Sequence, residues 1–99
     1  DKAKTDELVQ NFVNKYKDKY GSNPDAFAAL TYSTIQLYQA AIEKAGSTNG
    51  DTIKDALVNI DTVTVTGSVK FDKSRNPIKS LSVIKIENGS PKLQEKINP

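Results

Sequence analysis

Ile60-Asp61-Thr62-Val63-Thr64-Val65-Thr66-Gly67-Ser68-Val69-Lys70-Phe71 is the stretch in which the chain changes period. Before it, apolar residues recur three and four positions apart. Within it, Val63, Val65, Val69 and Phe71 alternate with Thr, Ser and Lys, the spacing that puts every second side chain on one face of a strand. The β-branched residues and Phe71 suit that pleated geometry. Gly67 interrupts the run, either as a bulge where backbones approach or as a hinge candidate, a point able to absorb a change of dihedral angle. A single switch from helical to extended period predicts helices first and strands after, an α+β reading.

Working back from this stretch, three helices are predicted. Residues 5–20 place Leu8, Val9, Phe12, Val13, Tyr16 and Tyr20 on one face, with Thr5 as cap, Asp6 and Glu7 at the positive end of the dipole and Gly21 as terminator. Residues 24–45 open on Asn23 as cap with Pro24 at the first helical position. They then run apolar through Phe27, Leu30, Ile35, Leu37, Tyr38, Ala41 and Ile42 to Gly46. Residues 51–60, capped by Asp51, carry Ile53, Ala56, Leu57 and Ile60 on one stripe. Working forward, the strand over 63–71 is followed by the polar turn Asp72-Lys73-Ser74-Arg75-Asn76-Pro77 and a second strand over 81–87, together a hairpin. Beyond Asn88-Gly89 the reading gives a short third strand around Lys92-Leu93 and a frayed tail. Broad apolar helix faces and one hairpin leave too little sheet to cover them, so some faces are expected to meet a partner outside the chain.

Composition excludes whole classes of chemistry. The 99 residues contain no cysteine and no histidine, which removes thiolate catalysis, zinc sites built on Cys and His, Ser-His-Asp triads and haem ligation. No base, nucleophile and orienting group stand together, so an enzyme is not expected, and neither is a cofactor or a metal. Asp51 and Asp55 are four apart but lack a third ligand. The net charge of +2 conceals a gradient: residues 1–61 hold seven lysines against nine carboxylates, residues 62–99 seven cations against three. Even that basic half has only Phe71 as an aromatic, too little for a nucleic-acid surface. Lys70, Lys73, Arg75, Lys79 and Lys85 read as solvated residues guarding a sheet edge ahead of a docking patch for an acidic partner. Tyr32 and Tyr38, six apart, do not share a narrow face and read as packing residues. No apolar run approaches the roughly 20 residues of a membrane span.

In order and spacing, several of these segments resemble one family. They are Phe12 to Tyr20 closing on Tyr-Gly, Pro24-Asp25-Ala26-Phe27-Ala28-Ala29-Leu30-Thr31-Tyr32, Ala40-Ala41-Ile42-Glu43-Lys44-Ala45-Gly46-Ser47, Ile53 to Leu57, Val65-Thr66-Gly67-Ser68-Val69-Lys70-Phe71-Asp72, and Val83-Ile84-Lys85-Ile86-Glu87-Asn88-Gly89. Together they resemble the C-terminal third of the substrate-binding proteins of ABC transporters for branched-chain amino acids, the type I periplasmic-binding fold. Many members have Asp where this chain has Ser33, which places a helix interaction there in question.

The resemblance implies an α/β protein of two lobes joined by three crossovers, of which these residues form a C-terminal fragment. It implies a carrier that closes on a small amino acid and delivers it to an ABC permease. Such a protein lies in the periplasm or outside the cell, behind a signal peptide or lipid anchor. It also implies that Phe27 walls the ligand cleft, that the groups holding the ligand's carboxylate and amine lie upstream, and that the final crossover falls between Thr64 and Phe71. A fragment of this kind is expected to bind amino acids weakly and to self-associate through its uncovered faces. Two other readings stand beside this one: an independent α+β module whose basic hairpin binds an acidic protein, and the ligand-binding region of a receptor on the same fold.

Overall fold

A computed structural model describes residues 2–99. Among them the chain forms α1 (Lys2–Tyr20), α2 (Ala26–Ala45), α3 (Gly50–Val58), β1 (Asp61–Thr64), β2 (Gly67–Phe71), β3 (Pro77–Ile78), β4 (Leu81–Glu87) and β5 (Ser90–Ile97). The helix starts differ from those expected. α1 begins at Lys2, so Thr5 lies inside the helix and not at its cap position, because Ala and Lys ahead of it are good helix formers. α2 is capped by Asp25, whose Oδ1 accepts from Ala28 N at 2.8 Å, so Pro24 and Asn23 stand outside the helix. A carboxylate is the stronger acceptor at a positive helix end, and a residue that precedes proline is disfavoured in helical backbone. α3 is capped by Asn49, which accepts from Asp51 N and Thr52 N, and Asp51 serves instead as the acidic residue of the first turn. The helix ends at Val58, and Asn59 Nδ2 then bonds back to Asp55 O.

The core joins α2 to α3. Ala41, fully buried, lets the two helices approach, and Ile53, Ala56 and Ile60 close over it with Leu37, Leu57 and Phe71 packed around them.

The strands pair in a way the alternation alone did not give. The expected single strand over 63–71 is broken: the chain folds back at Val65-Thr66, so that Thr64 faces Gly67 and Asp61 faces Lys70. Two local causes act together. Gly67 holds φ 102°, a conformation that only glycine adopts freely, and Val65 N is drawn away to Gln36 Oε1 on α2 at 3.0 Å. β2 then pairs with β3, completing an antiparallel sheet in the order β1-β2-β3. β4 does not pair with β2 as the hairpin reading required. It pairs with β5 in a separate two-stranded ladder closed by Asn88 and Gly89, both at positive φ, the geometry favoured for a two-residue turn. The segment expected to fray is therefore β5, paired as far as Ile97.

Apolar side chains remain uncovered on the hairpin (Leu81, Ile84, Ile86, Leu93) and on α2 (Leu30, Ile35, Tyr38). In the turn after β2, Asp72 Oδ1 accepts from Asn76 N and Ser74 N, and the Asn76 amide reaches the other carboxylate oxygen. The Asn76 backbone N–H, aided by its side chain and by Ser74 N, holds the Asp72 carboxyl below the ordinary value of 3.8.

Ile53→Ala is expected to destabilise the chain by about 2–4 kcal/mol in urea denaturation, because a buried Ile at the α2–α3 contact leaves a cavity. Asp72 gives a pH signature. Its turn is fully supported above pH 3.8 and loses that support as pH falls through the lowered value, so the Ser74 and Asn76 amides should lose exchange protection only in that acid window, as read by NMR. Amides that exchange equally fast at pH 6 would contradict the assignment.

Candidate functional site

Phe27 and Gly67, the two residues singled out from sequence, line different clefts. The first is aromatic. On α1, Phe12, Tyr16 and Tyr20 lie four apart and stack along one face, with ring centroids 5.9 and 4.6 Å apart. Phe12 is buried and reaches across to Tyr32 of α2, centroid to centroid 4.6 Å, which fixes the two helices to each other. The first turns of α2 add Phe27, Ala28, Thr31 and Ile35. Together these residues enclose a cleft of about 550 Å³, within the size range of small-molecule sites.

Phe27 is the second residue of α2, and its position there explains its state. Asp25 caps the helix just ahead of it, and Phe27 lies over the cleft instead of the α2–α3 core, 79% exposed. Lys15 and Lys19 stand at the margin, with Lys19 Nζ 5.5 Å from the Tyr20 ring centre. The α2 N-terminus has little capacity for an anion, since Asp25 takes the Ala28 N–H and carries a negative charge of its own. The cleft can therefore exclude water from an apolar group and present cations at its rim. Among the described residues no group of three carboxylates is placed to hold a metal ion.

Gly67 lies elsewhere. It opens β2 and lines a separate polar cleft with Thr66, Ser68, Ser80 and Ser82. Beside it is a buried chain of hydroxyls that the sequence reading did not identify. Ser33 Oγ donates to Thr64 Oγ1 at 2.7 Å and lies 2.9 Å from Thr66 Oγ1, while Thr64 Oγ1 donates to Gly67 O at 3.2 Å. Lys79 Nζ donates into the same cluster, to Thr66 Oγ1, at 2.8 Å. Ser33, the residue that departs from the resemblance, thus joins Gln36 in bonding α2 to the β1–β2 turn. The chain passes from one sheet to the other at Lys79-Ser80, while Thr64 to Phe71 closes on itself as a hairpin. The stacked aromatics were legible in their spacing of four, which was read as core. The Lys79 contact spans 13 positions and left no local signal.

The two phenylalanines should separate cleanly. Phe12→Ala is expected to cost about 3 kcal/mol in chemical denaturation. Phe27→Ala should change stability by no more than about 0.5 kcal/mol, since most of its ring is already in water. Equal losses would mean that Phe27 is a packing residue.

Residues 2–91 match a family model described as a periplasmic binding protein. The chain is similar to a leucine-binding protein of Thermotoga maritima, with 33% identity over 93% of this chain and 27% of that one and a TM-score of 0.75. It is also similar to the substrate-binding protein of a branched-chain amino acid transporter from Streptococcus pneumoniae, solved in complex with isoleucine. There the identity is 32%, over 91% of this chain and 25% of that one, with a TM-score of 0.69. A solute-binding protein of Rhodopseudomonas palustris in complex with benzoate shares the fold at 21% identity and a TM-score of 0.74, over 91% of this chain and 26% of that one. The chain spans about a quarter of the length of these proteins. No helix among the described residues is long and apolar enough to cross a membrane. With a mixed helix and sheet fold of this kind and a family match over nearly its whole length, the chain belongs to the periplasmic binding protein family.

Proposed function

We propose that these residues are the C-terminal part of a two-lobed solute-binding protein that captures a small apolar amino acid, most simply a branched-chain one, and passes it to an ABC permease. The protein would work in the periplasm or outside the cell, sent there by a signal peptide or held there by a lipid anchor. The observation that carries the reading is Phe27, a large apolar ring left in water at the mouth of an aromatic cleft. Covering such a ring with an aliphatic side chain contributes on the order of 1.5–3 kcal/mol, a natural basis for choosing an apolar solute. Two further facts support it: relatives at 33% and 32% identity are described as leucine-binding and as isoleucine-bound.

In this reading Phe27 selects the side chain, while the groups that hold carboxylate and amine come from parts of the protein outside residues 1–99. The Lys79-Ser80 link is where one sheet gives way to the other, with Gly67 near it on the β1–β2 turn that Lys79 reaches, and this region would bend as lobes close. The function needs binding and release only, and the cleft offers no paired acid and base for catalysis.

Isothermal titration of the full-length protein, with the 99-residue chain alongside, tests this against leucine, isoleucine, valine and benzoate. The full-length protein is expected to bind one of the aliphatic amino acids, and Phe27→Ala to weaken it roughly tenfold or more, about 1.4 kcal/mol. The isolated chain should bind far more weakly. Binding of benzoate alone would replace the ligand class with aromatic carboxylates, and unchanged affinity in Phe27→Ala would remove Phe27 from the site.

A further inference from the structure

The chain leaves its three-stranded sheet at Ile78 and enters the C-terminal hairpin at Leu81. Only Lys79 and Ser80 lie between, and their side chains are tied in opposite directions. Lys79 Nζ donates to Thr66 Oγ1 at 2.8 Å, on the β1–β2 turn, and Ser80 Oγ donates to Asn98 Oδ1 at 2.9 Å, just past the end of β5. Among the described residues little else holds its angle: along β4 and β5 these leave every residue exposed except Glu87, which is half-buried. Within this part of the protein, packing of apolar side chains does not fix how the hairpin stands to the sheet.

The seat of Lys79 is built for a donor. Thr64 Oγ1 gives its proton to Gly67 O, and Ser33 Oγ gives its proton to Thr64 Oγ1. Thr66 Oγ1 is then left to donate inward, to Ser33 Oγ at 2.9 Å or to Thr64 Oγ1 at 3.1 Å, which leaves its own lone pairs to accept from Lys79. The hydroxyl protons run inward from Thr66 to the Gly67 carbonyl, and a cation at the head of such a cluster strengthens the bonds along it. Lys79 has no carboxylate within ion-pair distance among the described residues. Burial lowers its pKa from the ordinary lysine value of 10.5, in keeping with a side chain drawn partly out of bulk water.

We propose that Lys79 is the positioning residue of the link: seated on the Ser33–Thr64–Thr66 hydroxyl chain, its ammonium sets the angle of the β4–β5 hairpin to the three-stranded sheet, and its release lets the hairpin swing while both parts stay folded. The inference rests on the two-lobed reading, in which this link would bend, but its readout needs no ligand, so it can fail while solute capture stands.

These 99 residues contain no cysteine, so within them spin labels go only where introduced, one on α2 through Gln39→Cys and one on β5 through Gln94→Cys, with any cysteine elsewhere in the full-length protein replaced by serine. Pulsed dipolar spectroscopy of the ligand-free full-length protein should give one narrow distance population. Lys79→Met and Thr66→Val should each broaden it at least twofold, while circular dichroism keeps the native helix and strand content. Thr66→Ser, which retains the hydroxyl, should stay narrow, as should Lys85→Met on β4. A Lys79→Met distribution as narrow as the parent's overturns the proposal. So does equal broadening by Thr66→Ser and Thr66→Val, which would make side-chain shape the determinant, and so does global unfolding of Lys79→Met, since a pin on the link leaves both halves intact.

Discussion

A serine in the middle of a helix is ordinarily a weak choice, and here the rest of the chain is arranged around one. Ser33 lies on α2 with its hydroxyl buried between Thr64 and Thr66, and Thr64 is itself fully buried. A buried hydroxyl without a partner costs roughly 1–3 kcal/mol, whereas a satisfied one contributes about 1 kcal/mol, so the cluster is stabilising only if all its members are in place. All of them are: among the described residues no buried side-chain nitrogen or oxygen lacks a partner. That condition dictates the geometry nearby. The turn must bring Thr64 and Thr66 to the same side, which forces the chain to reverse at Val65-Thr66 and sets Gly67 at positive φ. Gln36, one helical turn after Ser33, then takes the Val65 N–H that the reversal removes from the ladder.

This dependence marks where the amino-acid sequence was legible and where it was not. Helices were readable because their signals are local: Phe12, Tyr16 and Tyr20, or Ile53, Ala56, Leu57 and Ile60, announce a face by spacing alone. Their caps were less so. Asn23 and Asp25 are both good caps two positions apart, and only the extended backbone at Asp25 decides between them. Strand pairing was least readable. Alternation from Val63 to Phe71 is compatible with one strand of nine residues or with two short ones, and a reversal driven by bonds to Ser33 and Gln36, some thirty positions earlier, has no local trace. Asn88-Gly89, by contrast, is a strong turn signal, and it closes the ladder that the reading had given only partly.

The candidate site divides along the same line. Nothing in the composition distinguishes Phe27 from the other apolar residues of α2; the resemblance singled it out, and its exposure in the folded chain is the physical fact that separates it from Phe12. Lys79 was read as one of several solvated cations of the basic half. Its neighbours Lys85 and Lys92 do behave in that way, sharing Glu87 in exposed ion pairs that contribute little. What distinguishes Lys79 is that it finds a hydroxyl instead of a carboxylate, and a hydroxyl already committed as a donor elsewhere can only accept.

The uncovered apolar surface ties the two themes together. Residues such as Leu30, Ile35 and Tyr38 on α2 and Leu81, Ile86 and Leu93 on the hairpin are distributed over faces that do not meet one another. A chain that kept such surface exposed for ligand capture alone would need only the aromatic cleft, which these residues, Ile35 excepted, do not line. Their breadth instead fits elements designed to be flanked, with α2 apolar around most of its circumference as a helix inside a larger layer would be. In that setting the α2–turn–Lys79 connection has a mechanical meaning. It is a polar anchor between a layer that must be packed rigidly and the link to the hairpin, and a hydrogen-bonded ammonium is suited to such a joint because it resists sliding yet can be broken without opening a cavity.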